Sequence, residues 1–166
     1  MIAYKQLQHS WNPLPPQLTD EGARWALIMD SWEGTKYVPG ACVKGSGVDC
    51  GRWVISCACE LRGRSMPALP EIPHDAAFHS PEVAHEARRT ILKLMQPVVE
   101  IFHDLLQPAD IIVVGPQGGG PGHTYYVGPQ RHQLWHASPP RVDVTGWAIP
   151  AEYTLLHIYR LGELTW

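Results

Sequence analysis

The first regular pattern of apolar and polar positions predicts a helix that begins at Thr19 or Asp20 and runs to about Glu33. Thr and Asp are good helix caps, and Gly34 suits the position that follows the end of a helix. The apolar residues of this segment recur at helical spacing and are Trp25, Ile28, Met29 and Trp32. The pattern therefore indicates an amphipathic helix.

A second helix is predicted to begin at Cys50, because Asp49 is a good N-cap and the following positions keep helical spacing. Positions 50, 53, 54, 57, 58 and 61 fall on one helical face, which we expect to be buried. Arg52 is charged and lies off this apolar face. The preceding loop contains Gly45 and Gly47, and it places the Cys50 thiol in the first helical turn.

The middle of the chain predicts a loop followed by a third helix. Residues 64–80 are rich in proline and are expected to form a surface loop. Ser80-Pro81 signals a helix start, since Pro is favoured at the first helical position. Val83, Ala87, Ile91, Leu94 and Met95 then keep helical spacing. Pro97 is expected to end or kink this helix.

The C-terminal part changes to short apolar segments separated by Gly and Pro turns, a pattern typical of strands. These segments are 110–114, 123–127, 133–137 and 155–161. Helices come first in the chain and strands follow. This order predicts an α+β fold in which helices pack on one face of a central antiparallel sheet.

Length and composition are those of one folded domain. The chain has 166 residues, of which 45% are hydrophobic and 17% are charged, and this balance argues against disorder over most of its length. Residues 1–18 are polar and rich in proline. We expect them to form an extended arm, with residues 19–166 as a single domain.

Charge and hydropathy argue against two classes of partner. The net charge of −3 comes without a basic stripe, which disfavours a nucleic-acid partner. No apolar run approaches the ~20 residues that a membrane span needs. The N-terminus lacks the basic and apolar regions of a signal peptide. We therefore expect a chain made in the cytoplasm that needs another route to any target outside the cell.

Four cysteines lie at positions 42, 50, 57 and 59. Their closeness argues against a disulfide framework, so free thiols are expected. A catalytic thiol must be largely thiolate near neutral pH, and the unpaired N–H groups at a helix N-terminus favour the charged form. Cys50 has that position, whereas Cys57 and Cys59 lie deeper in the helix. Cys50 is therefore the candidate nucleophile.

Two histidines are candidates for activating this thiol. A thiolate nucleophile needs a general base and a group that orients the base. His123 begins one predicted strand and His136 lies near the end of the next, with a turn around Gly128-Pro129 between them. In a hairpin such positions can lie side by side. The chain has nine histidines, so the spacing alone also allows these two to be ordinary surface or core residues.

A metal site is an alternative use of the same side chains. His123, His132, His136 and a cysteine could together bind zinc. The sequence has neither a CxxC nor an HExxH spacing, and Cys57 and Cys59 point apart on a helix. We therefore expect no metal and no cofactor.

Four segments have the motifs of a known family in the same order. Residues 34–50 contain Gly-Thr-Lys-Tyr, a Val-Lys-Gly-Ser-Gly loop and Asp-Cys. They resemble the active-site entry of NlpC/P60 cysteine peptidases, and most closely that of the phage-associated cell-wall branch. Residues 106–114 resemble the family's Pro-Gly-Asp-Leu strand, residues 122–128 its His-Val-Gly-Ile-Tyr strand, and residues 134–138 its Ile-His-Ala strand. The resemblance covers residues from about 22 to 161.

The resemblance implies a papain-like NlpC/P60 fold, with residues 19–166 as the catalytic domain and the nucleophile at a helix N-terminus. It implies Cys50 as the nucleophile, His123 as the base and His136 as the third, orienting member. Tyr37 and Asp49 match residues that contact substrate, the aspartate by binding an amine. A helix cap is the other role for Asp49, and the two roles are not exclusive.

The activity that the resemblance implies is hydrolysis of the bond between γ-D-glutamate and a diamino acid in peptidoglycan stem peptides. The reaction passes through a thioester and needs no metal. The implied partners are stem peptides and phage tail proteins. The implied location is the virion tail, the periplasm or the cell wall.

Some residues depart from the family pattern. Arg52, Lys36 and Thr124-Tyr125 stand where the family has smaller residues, apolar residues or Pro, and a Gly-rich run precedes His123. These departures bear on substrate preference more than on the triad. Two other functions stay open on the same fold. One is a thiol acyltransferase or thioesterase, and the other is a structural phage tail component.

Overall fold

A computed structural model of the chain describes residues 20–69, 98–100, 106–118, 122–129, 133–146 and 149–161. The predicted N-terminal arm at residues 1–18 and the predicted helix that follows Ser80 lie outside these ranges. His132 also lies outside them.

Two helices are described, and both begin and end where local sequence signals predict. Helix α1 spans Asp20–Trp32, and helix α2 spans Cys50–Arg62. Gly34 follows α1 with φ 76° and Gly63 caps α2 with φ 64°, a left-handed conformation that suits glycine. The predicted apolar stripe of α1 is buried, and neither described helix has the length and apolar character of a membrane span.

The described strands form a short hairpin and a six-stranded antiparallel sheet. The hairpin consists of β1 (Cys42–Val43) and β2 (Gly47–Val48). The sheet consists of β3 (Val98–Glu100), β4 (Ile111–Pro116), β5 (His123–Val127), β6 (Gln133–Ser138), β7 (Arg141–Gly146) and β8 (Tyr153–Leu161). Its spatial order is β3-β8-β4-β5-β6-β7. The four predicted strands are confirmed as β4, β5, β6 and β8, while β3 and β7 were not predicted.

Apolar side chains cover both faces of the sheet. Because successive side chains of a strand point to opposite faces, each strand contributes to two separate cores. One core joins the sheet to α1 and α2 and includes Ile111, Tyr126 and Trp135. The other core lies on the opposite face and includes Ile112, Tyr125 and Leu134. The helices therefore pack on one face, as predicted, and the second face has a core of its own.

Helix α2 is more buried than its periodicity predicts. Every residue from 50 to 59 is buried, and Arg52 is only 5% exposed. Arg52 is therefore buried although it lies off the apolar face. The reason is the β1–β2 hairpin, which covers the polar side of α2. There Cys42 Sγ lies 2.9 Å from Ser56 Oγ.

Helix α2 runs beside β5 in the same direction. Thr124 Oγ1 donates a hydrogen bond to the Cys50 carbonyl at 3.3 Å, and Tyr126 Oη donates one to the Val54 carbonyl at 2.6 Å. The two helix residues are four positions apart, which is a rise of about 6 Å, and the two strand residues are two positions apart, which is a rise of about 6.8 Å. Because these rises are nearly equal, both hydrogen bonds can form at once and fix the helix against the strand. This alignment places the first residue of α2 beside the start of β5.

We predict that Gly128→Ala destabilises the turn between β5 and β6. A Cβ at Gly128 would lie 2.7 Å from Gln133 Cβ and 2.8 Å from Trp135 Cδ1, and the buried indole has no room to move. Such overpacking costs about 1–3 kcal/mol of unfolding free energy, measurable by urea denaturation. Gly146→Ala is the matched control, because a Cβ there meets nothing within 4 Å. Equal stability of the two variants would contradict the prediction.

Candidate active site

Cys50 is the first residue of α2, and its position is set by the Asp49 cap. Asp49 Oδ1 accepts a hydrogen bond from the Arg52 backbone N–H at 2.7 Å, and the Asp49 carbonyl accepts one from the Trp53 N–H at 2.9 Å. These bonds are those of a helix N-cap. Cys50 therefore lies in the first turn, where backbone N–H groups point out of the helix end.

The second carboxylate oxygen of Asp49 is also engaged. Asp49 Oδ2 accepts from the Gly40 N–H at 3.0 Å and from Arg52 Nη1 at 2.7 Å. Asp49 is 6% exposed and Arg52 5%, so this is a buried ion pair. A substrate amine would have to compete with the guanidinium for the same oxygens. The cap role of Asp49 is what the contacts show, and the amine-binding role stays a prediction.

The other three cysteines lie in surroundings that keep them as thiols. Burial raises the pKa of Cys42, raises that of Cys57 well above its ordinary value, and raises that of Cys59 to about 11. All four cysteines are free, as the sequence predicts. Cys42, Cys57 and Cys59 are therefore poor nucleophiles near neutral pH.

The two candidate histidines contact each other directly. His123 is the first residue of β5, His136 lies in β6, and His123 Nε2 is 2.9 Å from His136 Nδ1. Their rings cross at 78° with centroids 5.1 Å apart. The hairpin thus brings together two side chains that are 13 residues apart in sequence.

The surroundings of His136 decide which ring donates the proton. Burial lowers the pKa of His136, and the Asp143 carboxylate opposes this only in part. A neutral His136 can accept at Nδ1 while its Nε2–H faces Ser138 Oγ at 3.4 Å. His123 then donates from Nε2, and in this tautomer its Nδ1 carries the lone pair.

Gly122 fixes the backbone just before His123. Its N–H donates to the Val114 carbonyl at 2.7 Å. A Cβ at this position would lie 3.1 Å from Pro116 Cδ and 3.2 Å from Tyr153 Cε1. The absence of a side chain therefore lets the chain enter β5 close to both neighbours.

Tyr125 is a third aromatic residue of this site that the sequence did not single out as functional. Its ring stacks on His136, with centroids 5.0 Å apart at 16°, and meets the edge of His123 at 4.7 Å. Strand alternation was the available signal, because positions 123 and 125 share one face of β5. The residue is 2% exposed.

The start of α2 lies beside the start of β5. The Thr124–Cys50 hydrogen bond joins the helix start to the residue that follows His123. Burial raises the pKa of Tyr125 to about 12, with further increases from Tyr153, Glu152 and Cys50. The Cys50 thiolate therefore acts electrostatically on Tyr125, whose ring contacts both histidines.

Tyr37 lies in the loop that leads to the helix start. Its backbone N–H donates to the Pro140 carbonyl at 2.9 Å, and it forms a parallel bridge with Val48, two residues before Cys50. The residue is half-buried against the helix-side core. This places Tyr37 between the nucleophile loop and the turn that precedes β7, and its contact with substrate stays a prediction.

Within the described ranges, no three His, Cys, Asp or Glu side chains gather closely enough to hold a metal ion. His123 and His136 lie together there, but the third histidine of the zinc hypothesis, His132, is outside those ranges.

Solved structures share this fold. A structure of NlpC2 from Trichomonas vaginalis matches with a TM-score of 0.56 and 18% identity, over 91% of this chain and 50% of that chain. A Staphylococcus aureus protein described as similar to lipoprotein, NLP/P60 family, matches with a TM-score of 0.57 and 16% identity, over 91% and 45%. The chain thus spans about half the length of these proteins. Sequence comparison gave no match to a family profile or to a curated protein.

These likenesses confirm the predicted α+β fold of the NlpC/P60 type. At 18% and 16% identity they bear on the fold alone.

We predict that Asp49 and Arg52 are strongly coupled in stability. Arg52→Met leaves a buried carboxylate without this ion partner, and Asp49→Asn removes the negative charge that faces the buried guanidinium while keeping a capping oxygen. Removing one partner of a buried pair costs about 3–5 kcal/mol. We expect the double variant to lose less than the sum of the single losses, measured by urea unfolding. Additive losses would show that the pair is not a unit.

Proposed function

We propose that the chain is a cysteine hydrolase that cuts amide bonds in peptidoglycan stem peptides, of the γ-D-glutamyl–diamino acid type. The observation that carries the proposal is the 2.9 Å contact between His123 and His136 at the start of β5, beside the helix that begins with Cys50. The NlpC/P60-type fold supports the assignment to this class. The substrate rests on the sequence resemblance.

In the proposed reaction His123 Nδ1 takes the proton of the Cys50 thiol, and the thiolate attacks the carbonyl carbon of the amide. Backbone N–H groups at the start of α2 face the oxyanion that forms. The imidazolium of His123 then protonates the leaving amine, and a thioester to Cys50 remains. A water molecule, deprotonated by His123, releases the acid and restores the thiol. Neutral His136 keeps the proton of His123 on Nε2 throughout.

The setting of this reaction is proposed on the sequence resemblance. It includes a phage or prophage origin, phage tail partners, and delivery to the periplasm or cell wall. Tyr37 is proposed to contact the substrate, because its backbone is tied to the segment that leads into Cys50.

We predict that Cys50→Ala and Cys50→Ser abolish release of amines from purified stem peptides. Removal of the nucleophile should lower kcat/KM by more than about a thousandfold, while the urea midpoint stays near that of wild type. Cys42→Ser is the thiol control, since Cys42 Sγ faces Ser56 Oγ between β1 and α2, and this variant should leave activity unchanged. Activity retained in Cys50→Ala would contradict the proposal.

The same preparations distinguish the alternative functions. A thiol acyltransferase or thioesterase would turn over thioesters or lipid acyl groups and leave stem peptides intact. A structural tail component would show neither activity in the wild type and would still enter phage particles.

We predict that His123→Ala lowers kcat more than His136→Ala does. Loss of a general base costs about a hundredfold to ten-thousandfold, whereas loss of the orienting residue leaves a base that spends less time in the productive tautomer. His157→Ala, an exposed position in β8, controls for the effect of removing any histidine. Wild-type activity in both site variants would remove the histidines from the mechanism.

A further inference from the structure

Tyr125 has more contact with the histidine pair than its place in the strand requires. Its ring lies parallel to His136 at 5.0 Å and perpendicular to His123 at 4.7 Å, so one side chain contacts both imidazoles. It is among the largest fully buried side chains of the described residues. The reaction proposed above gives it no chemical step.

We propose, on the basis of the proposed function, that Tyr125 is a positioning residue that covers the ring of His136 and keeps it a neutral acceptor for the His123 proton. Two degrees of freedom of the orienting imidazole need to be fixed for this purpose. The hydrogen bond to His123 fixes one edge of the ring, and the stack on Tyr125 fixes its plane.

The ring of Tyr125, and not its hydroxyl, fixes the plane of the His136 ring. Burial raises the pKa of the hydroxyl to about 12, so it stays uncharged at any pH at which the enzyme would work. A neutral aromatic face excludes water from His136 without offering it a competing hydrogen bond.

The groups that face His136 set the pH at which the arrangement fails. Asp143 lies directly across from it on β7, but that carboxylate also contacts Arg141 and the Val144 N–H. Among the described residues, His136 also has polar contacts with Ser138 of its own strand and with His123 of β5. Of the effects on the pKa of His136, burial is the largest and lowers it, while Asp143 raises it.

The sign of the pH effect follows from this order. A His136 whose pKa is below 6.5 stays neutral as the pH falls through 6.5, and the acceptor is lost only at lower pH. Exposing its face to water moves the pKa back towards 6.5, so that the acceptor is lost at higher pH. A stacked ring also attracts an imidazolium, which acts in the opposite direction.

The test is NMR titration of the full chain with isotope-labelled histidine and no substrate, for wild type, Tyr125→Phe and Tyr125→Leu. We expect one tautomer for each ring and a low His136 midpoint in wild type and in Tyr125→Phe. In Tyr125→Leu we expect mixed tautomers and a midpoint shifted up towards 6.5. An unchanged or lower midpoint in Tyr125→Leu would overturn the proposal, and so would a wild-type midpoint at or above 6.5, a result that does not depend on the folding of any variant.

Kinetics give a second readout. In Tyr125→Leu the loss of kcat/KM should be severalfold greater at pH 6 than at pH 8, whereas Tyr125→Phe should keep the wild-type profile. A loss that is the same at both pH values would indicate a merely structural role and would overturn the proposal. Absence of peptidase activity in the wild type, with the NMR result as expected, would refute the proposed function and leave the arrangement of the rings standing.

Discussion

The position of the site depends on the carboxylate of Asp49. Helix α2 is enclosed by α1, the sheet and the β1–β2 hairpin, so the buried Arg52 N–H in its first turn needs an acceptor from the protein. Asp49 satisfies the Arg52 N–H with one oxygen and holds the Gly40 loop and the Arg52 guanidinium with the other. A helix that began one residue later would turn Cys50 by about 100° about the helix axis.

Alternate residues of strand β5 make two different sets of contacts. Thr124 and Tyr126 hydrogen-bond to carbonyls of α2, and thereby hold the helix beside β5. His123 and Tyr125 alternate with them along the strand and contact each other and His136. Because side chains alternate along a strand, the residues that hold α2 are not the residues that we propose to carry protons.

Local rules predict most of the site. The cap at Asp49 places Cys50 at a helix start, and the hairpin between the two histidines brings them together; both follow from near neighbours in sequence. Arg52 and Tyr125 could not be predicted in this way. Arg52 is buried because a hairpin from outside α2 covers it, and the stack of Tyr125 on His136 depends on the register of two strands.

Strand β7 could not be predicted from the pattern of apolar and polar residues. Strand β7 has only Val142 and Val144 as alternating apolar residues between polar ones, too short a signal to separate it from a loop. Its pairing with β6 nevertheless places Asp143 across from His136. An element that the pattern missed therefore contributes a charge that acts on the site.

Gly122 is the residue immediately before β5, the strand that begins with His123. Its N–H is bound to Val114, and Pro116 and Tyr153 close in where a side chain would stand. These contacts fix the backbone immediately before His123. Any side chain at position 122 would press on Pro116 and Tyr153, so the register of β5 against β4, and with it the place of the proposed base, depends on a glycine.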